Sequence, residues 1–366
     1  MEFETEREPL LKALQTVIGV VERRHTLPIL GNVLIDVHHQ QLSVTATDLE
    51  VEIKATTQAS VKESGQITLP ARKFMDIIRN LPEPSRIHAR LDQARMVLKI
   101  PHSRFTLTTL PGTEFPLVEE NDEPQRLELA QSLLRWLIDR TSFAMGLQDV
   151  RYYLNGLLLE LEPHRLRAVA TDGHRLALAE VPAETSLAEP KNVIVPRKGV
   201  QELLRLLHDA QDPLELQLRE NHLRVTWPNA CFTTKLIDGD YPNYRRVIPK
   251  QEHGRLEVER EALRLALVRA SILADERLNG VRFILSSEGL RICSNNPEQE
   301  EAQEDLAGVY VGDPVEIGFS ARYLLDALTA IEESTVEIVV SGSNSSAILY
   351  GRGNDSCRYV VMPLFL

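Results

Sequence analysis

Asn155-Gly156-Leu157-Leu158-Leu159 is a turn pair running straight into an apolar strand, and the chain writes this phrase three times. Gly31-Asn32 leads into Val33-Leu34-Ile35, and Asn279-Gly280 leads into Val281-Arg282-Phe283. The next strand ends at Thr47-Asp48, Thr171-Asp172 and Asn295-Asn296, a constant step of 124 residues for Asp48, Asp172 and Asn296. Two further landmarks repeat in the same order. A strand running into a helix carries Arg72, Arg197 and Arg322, 125 apart; a later strand carries Phe105, Phe232 and Tyr359, 127 apart. One coincidence could be chance. Three in the same order imply three copies of one domain, at residues 1–125, 126–253 and 254–366. The joins read as linkers: Glu119-Glu120-Asn121-Asp122-Glu123-Pro124 is acidic and ends at proline, and Pro249 to Gly254 is polar.

Each copy is expected to open with a helix. In the first it covers about Arg7 to Val21, with Leu10, Leu11, Leu14 and Val17 at helical spacing. Leu129, Leu133, Leu134, Leu137 and Ile138 mark it in the second copy, and Leu263, Leu267 and Val268 in the third, with Ile272 near its end. Strands of period two follow, as in Leu42 to Ala46, then a second helix near 72–80 and 198–208, then closing strands such as Met96 to Ile100. Two helices packed on antiparallel sheets place each copy in the α+β class. Open sheet edges invite pairing with the next domain, and a closed ring would use every edge.

The acidic N-terminus, Met1-Glu2-Phe3-Glu4, lacks the basic start and apolar core of a signal peptide. No apolar run approaches the roughly 18 residues of a membrane helix, so a cytoplasmic protein without membrane contact is expected. Cys231, Cys293 and Cys357 are scattered, which reads as reduced thiols, with no metal or cofactor. The net charge of -12 counts against an ordinary DNA binder, whose affinity comes largely from neutralising phosphates. Net charge is silent on distribution, however. Lys12, Arg23-Arg24, Arg72, Lys73 and Arg79 sit on or beside the helices of the first copy. Arg135, Arg140, Arg197, Lys198 and Arg205 follow in the second, and Arg260, Arg264, Arg269 and Arg322 in the third. A solvated face explains them on any one helix. Their recurrence at the same helix start in all three copies favours helices that face phosphate in weak, sequence-blind contact.

Several phrases together resemble the beta subunit of bacterial DNA polymerase III over the full chain. They are Leu27 to Asn32, Gln148 to Gly156, Ala170-Thr171-Asp172-Gly173-His174-Arg175-Leu176, Val195 to Gly199, Tyr241 to Val247, Asn295 to Glu300, and Tyr359-Val360-Val361-Met362-Pro363. The resemblance implies a non-catalytic DNA sliding clamp. Three tandem clamp domains per subunit would close, as a head-to-tail homodimer, into a ring with helices facing duplex DNA and sheets forming the rim. It implies as partners double-stranded DNA, a second copy of the chain, the polymerase III alpha subunit, the clamp loader, and other polymerases and repair proteins carrying a clamp-binding peptide.

Carried over by motif, the DNA contacts would be Arg24, Arg72, Gln148, Tyr152 and Tyr153, with Arg197 and Lys198 added from the recurring helix start. Exposed aromatic rings suit contact with single strands; strand packing is the competing reading of the two tyrosines. The implied peptide pocket takes Leu154, Thr171, Gly173, His174, Arg175 and Leu176 from one stretch and Pro242, Arg246 and Val247 from another. Ser346, Val360, Val361, Met362, Pro363 and Leu364 complete it. Apolar anchors with a few orienting polar groups make such a trough, although Leu176 and Val361 also read as ordinary core. Leu364 and Phe365 stand where the family often carries methionine and arginine, making the rim more apolar. The dimer contact would set Lys73, Arg104, Phe105 and Leu107 against Ile272, Leu273 and the acids Glu298, Glu300, Glu301 and Glu304 of a second copy.

Two rivals are weighed. Asp172 and His174 could suggest acid–base chemistry. Asp-Gly is a turn signal, however, the matching copies lack the histidine, and no nucleotide, zinc-protease or hydrolase motif is present. A clamp-like protein that binds partners without encircling DNA would suit the acidic charge, but the retained Arg24, Arg72 and Arg197 count against it.

Overall fold

The computed structural model describes residues 1–22, 27–118, 123–184, 189–249 and 251–365. Its α-helices are α1 (Arg7–Val17), α2 (Ala71–Arg79), α3 (Gln131–Thr141), α4 (Arg197–Leu206), α5 (Arg260–Ser271) and α6 (Ala321–Ala330). The chain divides into two compact units, Met1–Ser132 with Gln201–Leu236 and Leu133–Val200 with Ile237–Leu366. Among the described residues no helix is long and apolar enough to cross a membrane.

The first unit holds two antiparallel sheets. One has five strands and ends on the open edge Ser103–Thr108. The other has nine and contains a seam. Val51–Gln58, from the first copy, pairs with Ala230–Lys235, from the second, with Phe232 opposite Ile53. The second unit repeats the plan. A nine-stranded sheet is joined where Arg175–Pro182 meets Cys357–Val361, with Tyr359 opposite Ala177. A four-stranded sheet ends on the open edge Glu301–Leu306. The units follow the fused sheets rather than the copies, because continuous backbone ladders cross each join.

Helix stripes supply much of the core. Leu10, Leu11, Leu14 and Val17 of α1 are buried, as are Leu263, Ala266, Leu267 and Ala270 of α5. The expectation that each copy opens with a helix is corrected: each opens with a strand, Glu2–Glu6, Gln125–Ala130 or Gly254–Glu259, that runs into the helix. Leu129 belongs to that strand, opposite Leu214, and not to α3. The signal was the alternation of Leu127 and Leu129, and of Leu256 and Val258, which are buried while their neighbours are not. The helix expected to reach Val21 stops at Val17 and tightens into a 3-10 turn over Ile18–Val20, where β-branched residues and Gly19 weaken the α-helix. Arg23, Arg24, Glu119 to Asp122 and Lys250 lie outside the described residues.

Candidate functional site

The acid–base reading rests on the turn over Thr171–Arg175. Asp172 Oδ1 accepts the backbone N–H groups of His174 (2.9 Å) and Arg175 (3.0 Å), and its Oδ2 accepts from Arg175 Nε at 3.1 Å. Gly173 stands at φ +89 and donates to Thr171 Oγ1. The first copy builds the same turn. Asp48 Oδ1 accepts from Glu50 and Val51, and Leu49 takes the positive φ, at +77. A carboxylate used in this way shapes a hairpin; it is not a free general base.

The turn delivers its strand to an apolar sheet face. In the nine-stranded sheet of the second unit, Ile194, Leu158, Val169 and Leu178 lie directly opposite one another across four strands. Beside them runs a second row: Thr171, Leu176, Val360, Ile348 and Val339. These aliphatic residues form one buried cluster, against which Tyr153, Ile237, Tyr241, Val247 and Ile248 pack. The covering residues belong largely to one segment, 237–248, which crosses the face as a strap.

The expected pocket residues distribute over this arrangement. Leu176 and Val360 are buried in its floor, Thr171 closes the second row, and Leu154 is buried. Val247, Ser346, Met362, Pro363 and Leu364 are half-buried, while His174, Pro242 and Arg246 are exposed. The C-terminal lip is held by backbone bonds from Met362 N–H to the His174 carbonyl (2.9 Å) and from Leu364 N–H to that of Gly318 (2.8 Å). Arg175 and Val361 are set apart from the others. They pair with each other, and strand alternation turns them to the opposite face from Leu176 and Val360. There the Arg175 guanidinium meets the Phe143 and Tyr323 rings and the Asp326 carboxylate.

The strap is pinned by groups that reading the motifs did not single out. Tyr241 OH accepts the Thr171 N–H at 3.0 Å, and Tyr244 OH donates to Glu160 Oε2 at 2.7 Å. Burial and the Glu160 carboxylate push the Tyr244 phenol up to about 12, so it remains a donor. A charged residue inside the apolar run Leu157-Leu158-Leu159-Glu160-Leu161 was the available signal.

The expected DNA contacts lie in different elements. Arg72 is exposed on α2, with Nη2 donating to the Val21 carbonyl at 2.7 Å. Arg197 begins α4 and donates to the Met145 carbonyl at 3.1 Å, and Lys198 is half-buried beside it. Gln148 is exposed at φ +55, in a loop where Val150 is 96% exposed. Tyr152 is exposed and meets Tyr153 edge-on at 5.7 Å, whereas Tyr153 packs on the apolar cluster. Tyr153 therefore packs on the sheet from the 3-10 turn Tyr152–Asn155, whereas Tyr152 does not. Other helix cations have acidic neighbours: Arg264 with Glu261, Arg269 with Glu304, Arg135 with Asp139. Exposed pairs of this kind hold weakly. Arg24 lies outside the described residues.

Of the expected dimer residues, Arg104, Phe105, Leu107, Glu301 and Glu304 sit on the open edge strands. Arg104 is exposed, Phe105 half-buried and Leu107 buried along Ser103–Thr108; Lys73 is exposed on α2. Ile272 is 73% exposed at the end of α5, with Leu273 half-buried next to it. Glu298, Glu300 and Glu301 are exposed, while Glu304 holds Arg269 at 2.7 Å.

Comparison with known proteins accounts for the whole chain. Profiles of the DNA polymerase III beta subunit match in order: the N-terminal domain at residues 1–119, the central domain at 128–243 and the C-terminal domain at 245–365. The beta sliding clamp of Pseudomonas putida is 50% identical over 367 residues, and that of Escherichia coli K12 is 46% identical, each comparison covering 100% of both chains. The DNA polymerase III subunit beta of Pseudomonas aeruginosa superposes with a TM-score of 0.98 at 49% identity, again over 100% of both chains. A sliding clamp from the same species, solved bound to griselimycin, gives 0.96 at 49%, also over 100% of both chains. Fold and site thus define a non-catalytic clamp subunit built from tandem clamp domains. The chain belongs to the DNA polymerase III beta subunit family, the beta sliding clamps.

Proposed function

We propose that two copies of the chain join head to tail into a ring that encircles duplex DNA and tethers polymerases and repair proteins to it in the cytoplasm. Each copy supplies three clamp domains, 1–125, 126–253 and 254–366.

One observation carries this reading. The same seam is made twice within the chain, Phe232 on Ile53 and Tyr359 on Ala177. Ile53 to Ala177 is the repeat step of 124 residues, and Phe232 to Tyr359 the step of 127. The turn before the third copy's strand is one residue longer, Ser294 pairing Ala302 where Ala170 pairs Ala177, so the next equivalent of Ile53 is Ala302, and one step back from Phe232 lies Phe105. These belong to the two open edges, Glu301–Leu306 and Ser103–Thr108. A third seam in the same register sets Phe105 of one copy opposite Ala302 of the next and rebuilds a nine-stranded sheet from the shorter two. It also leaves none of these edges exposed, and it joins unlike ends, which is the head-to-tail geometry a closed ring requires.

Retention on DNA is then topological, and phosphate contacts need only be weak. Arg72, Arg197, Lys198 and Arg24, with Gln148, Tyr152 and Tyr153, are the residues proposed to make them. The trough formed by Leu176, Val360, Val247, Pro242 and Met362 is proposed to receive the clamp-binding peptide of the polymerase III alpha subunit, the clamp loader and other partners. Leu154, Thr171, Gly173, His174, Arg246, Ser346, Pro363 and Leu364 flank it. Arg175 and Val361 support it from the opposite sheet face.

The test is retention on circular and linearised DNA after loading by a matching clamp loader with ATP. Stable retention on circles, lost once the circle is cut, is the expected result. Equal retention on both would mean ordinary backbone binding, and loss from both with the dimer intact would mean a protein-binding role alone.

A further inference from the structure

We propose that Glu160, Arg167 and Tyr244 form a buried clasp that sets the position of the pocket lip. Glu160 and Tyr244 are thus positioning residues for peptide binding, although a bound peptide would touch neither carboxylate nor hydroxyl. The inference rests on the reading of the trough as the peptide site.

Beside the two apolar rows of the sheet lies a third made of polar groups. Asn192, Glu160, Arg167 and Glu180 stand directly opposite one another on four adjacent strands. Glu160 is 3% exposed. Its Oε2 accepts from Arg167 Nη1 at 2.6 Å, from Tyr244 OH at 2.7 Å and from Arg245 Nη2 at 3.0 Å. Arg167 in turn donates Nε to Glu180 at 2.8 Å and Nη1 to Tyr244 OH at 3.1 Å. A buried carboxylate is tolerable only with such partners, and removing one leaves the others underserved. The anchorage is therefore strong, and it is directed at one point of the strap.

That point is close in sequence to the lip. Tyr244–Arg246 is a single 3-10 turn, closed by Val247 N–H donating to the Tyr244 carbonyl at 3.1 Å. Pro242 precedes Tyr244 by two residues, and Arg246 and Val247 follow within three. The Tyr244 ring lies in the apolar cluster with Leu176 and Val360, so its hydroxyl bond fixes the turn in depth as well as along the sheet. Arg245 lies over the outer side of the same ring at 4.8 Å. The Tyr241 hydroxyl, on the Thr171 N–H, pins the strap a second time on the other side of Pro242. With both pins made, the lip is held open before any peptide arrives, and binding need not also order it. A cavity of about 270 Å³ beneath the strap, lined in part by Glu160, Asn192, Asp240 and Tyr241, leaves room for the strap to sink if the clasp is lost.

The experiment measures griselimycin affinity, together with residue-resolved hydrogen exchange, in the full-length protein and in four variants: Tyr244→Phe, Glu160→Gln, Arg245→Ala and Val247→Asp. Val247→Asp alters the lip itself and tests the pocket; loss of binding there is expected. Tyr244→Phe keeps the ring and removes only the hydroxyl. It and Glu160→Gln are expected to weaken griselimycin about tenfold, the worth of one hydrogen bond to a charged group. Exchange should quicken at the Arg246 and Val247 amides and stay unchanged in the strand Arg165–Thr171. Arg245→Ala, whose side chain is largely exposed and not structural, should show the same pattern more weakly. If Val247→Asp loses binding while Tyr244→Phe and Glu160→Gln bind normally, the clasp is overturned and the pocket stands. Exchange that quickens throughout the sheet would reduce the effect to general stability and also overturn the clasp. If Val247→Asp binds normally, the pocket reading fails and the clasp falls with it.

Discussion

The Arg175 guanidinium lies 4.6 Å from the centre of the Tyr323 ring. Arg175 ends the Asp172 turn and Tyr323 is half-buried in the first turn of α6, so this contact, with the bonds to Asp172 and Asp326, braces the turn against the helix. Arg175, expected from its motif as a pocket group, thus lies on the sheet face opposite Leu176 and Val360, where these contacts make it a strut. Arg175→Ala should cost about 3 kcal/mol in urea unfolding, because it leaves Asp172 and Asp326 without their shared cation. Arg175→Lys should recover only part of this, lacking the planar fork and its stacking. An unfolding midpoint like that of the unaltered protein would refute the strut.

Floor and rim should separate in their energetics. Leu176 is 3% exposed, and Leu176→Ala should cost about 2–4 kcal/mol as a cavity in the core. Phe365 is 83% exposed, and Phe365→Ala should change stability by no more than about 0.5 kcal/mol. If Phe365 extends the apolar rim, its removal nevertheless weakens griselimycin binding. Calorimetric melting and a binding titration on the same samples separate the two effects.

The register of the intermolecular seam is open to a covalent test. Cys231 faces Lys54 and Arg358 faces Leu178, whose equivalent in the third copy is Gln303, so the same register sets Arg104 opposite Gln303 of the partner subunit. A variant combining Arg104→Cys and Gln303→Cys should form a disulfide-linked dimer under mild oxidation, seen on a non-reducing denaturing gel. Arg104→Cys combined with Glu301→Cys, displaced by two residues along the strand, should link poorly. Equal yields from both pairs would discard the register.

Asp149 gives a pH signature to the loop that carries Gln148. Side-chain and backbone hydrogen bonds from Arg151 lower the Asp149 carboxyl to about 2. A lowered carboxyl favours the folded loop above the ordinary aspartate range near 3.9, and that contribution disappears as pH falls through about 2. In an acid titration followed by NMR, the Asp149 carboxyl should therefore titrate near 2 in the native protein. In Arg151→Ala the midpoint should return towards 3.9. A native midpoint already near 3.9 would mean that the Arg151 bonds do not persist in solution.

Much of this protein is written locally. Turn pairs such as Asn155-Gly156, the spacing of Leu10, Leu11 and Leu14, and the alternation in Leu42 to Ala46 all act within a few residues, so the three copies, their order and the α+β class are legible in the chain. The opening strands were missed because Gln125–Ala130 and Gly254–Glu259 are six-residue strands running directly into helices, and neither carries a turn signal at the boundary. The residues proposed for the trough stand in motifs of the sequence, but their directions were not legible there. Leu176 and Arg175 are neighbours in sequence and lie on opposite faces of one sheet, and only the pairing with Val360 and Val361 reveals which face is which. The same holds for the clasp: Glu160, Arg167 and Tyr244 come from three separate stretches, and their meeting depends on strand register and on the path of the strap. The sequence by itself determined the repeat, the class and the family. Only the tertiary structure decided which side chains share a face and which polar groups must be satisfied together, because those facts depend on long-range backbone pairing that no local pattern encodes.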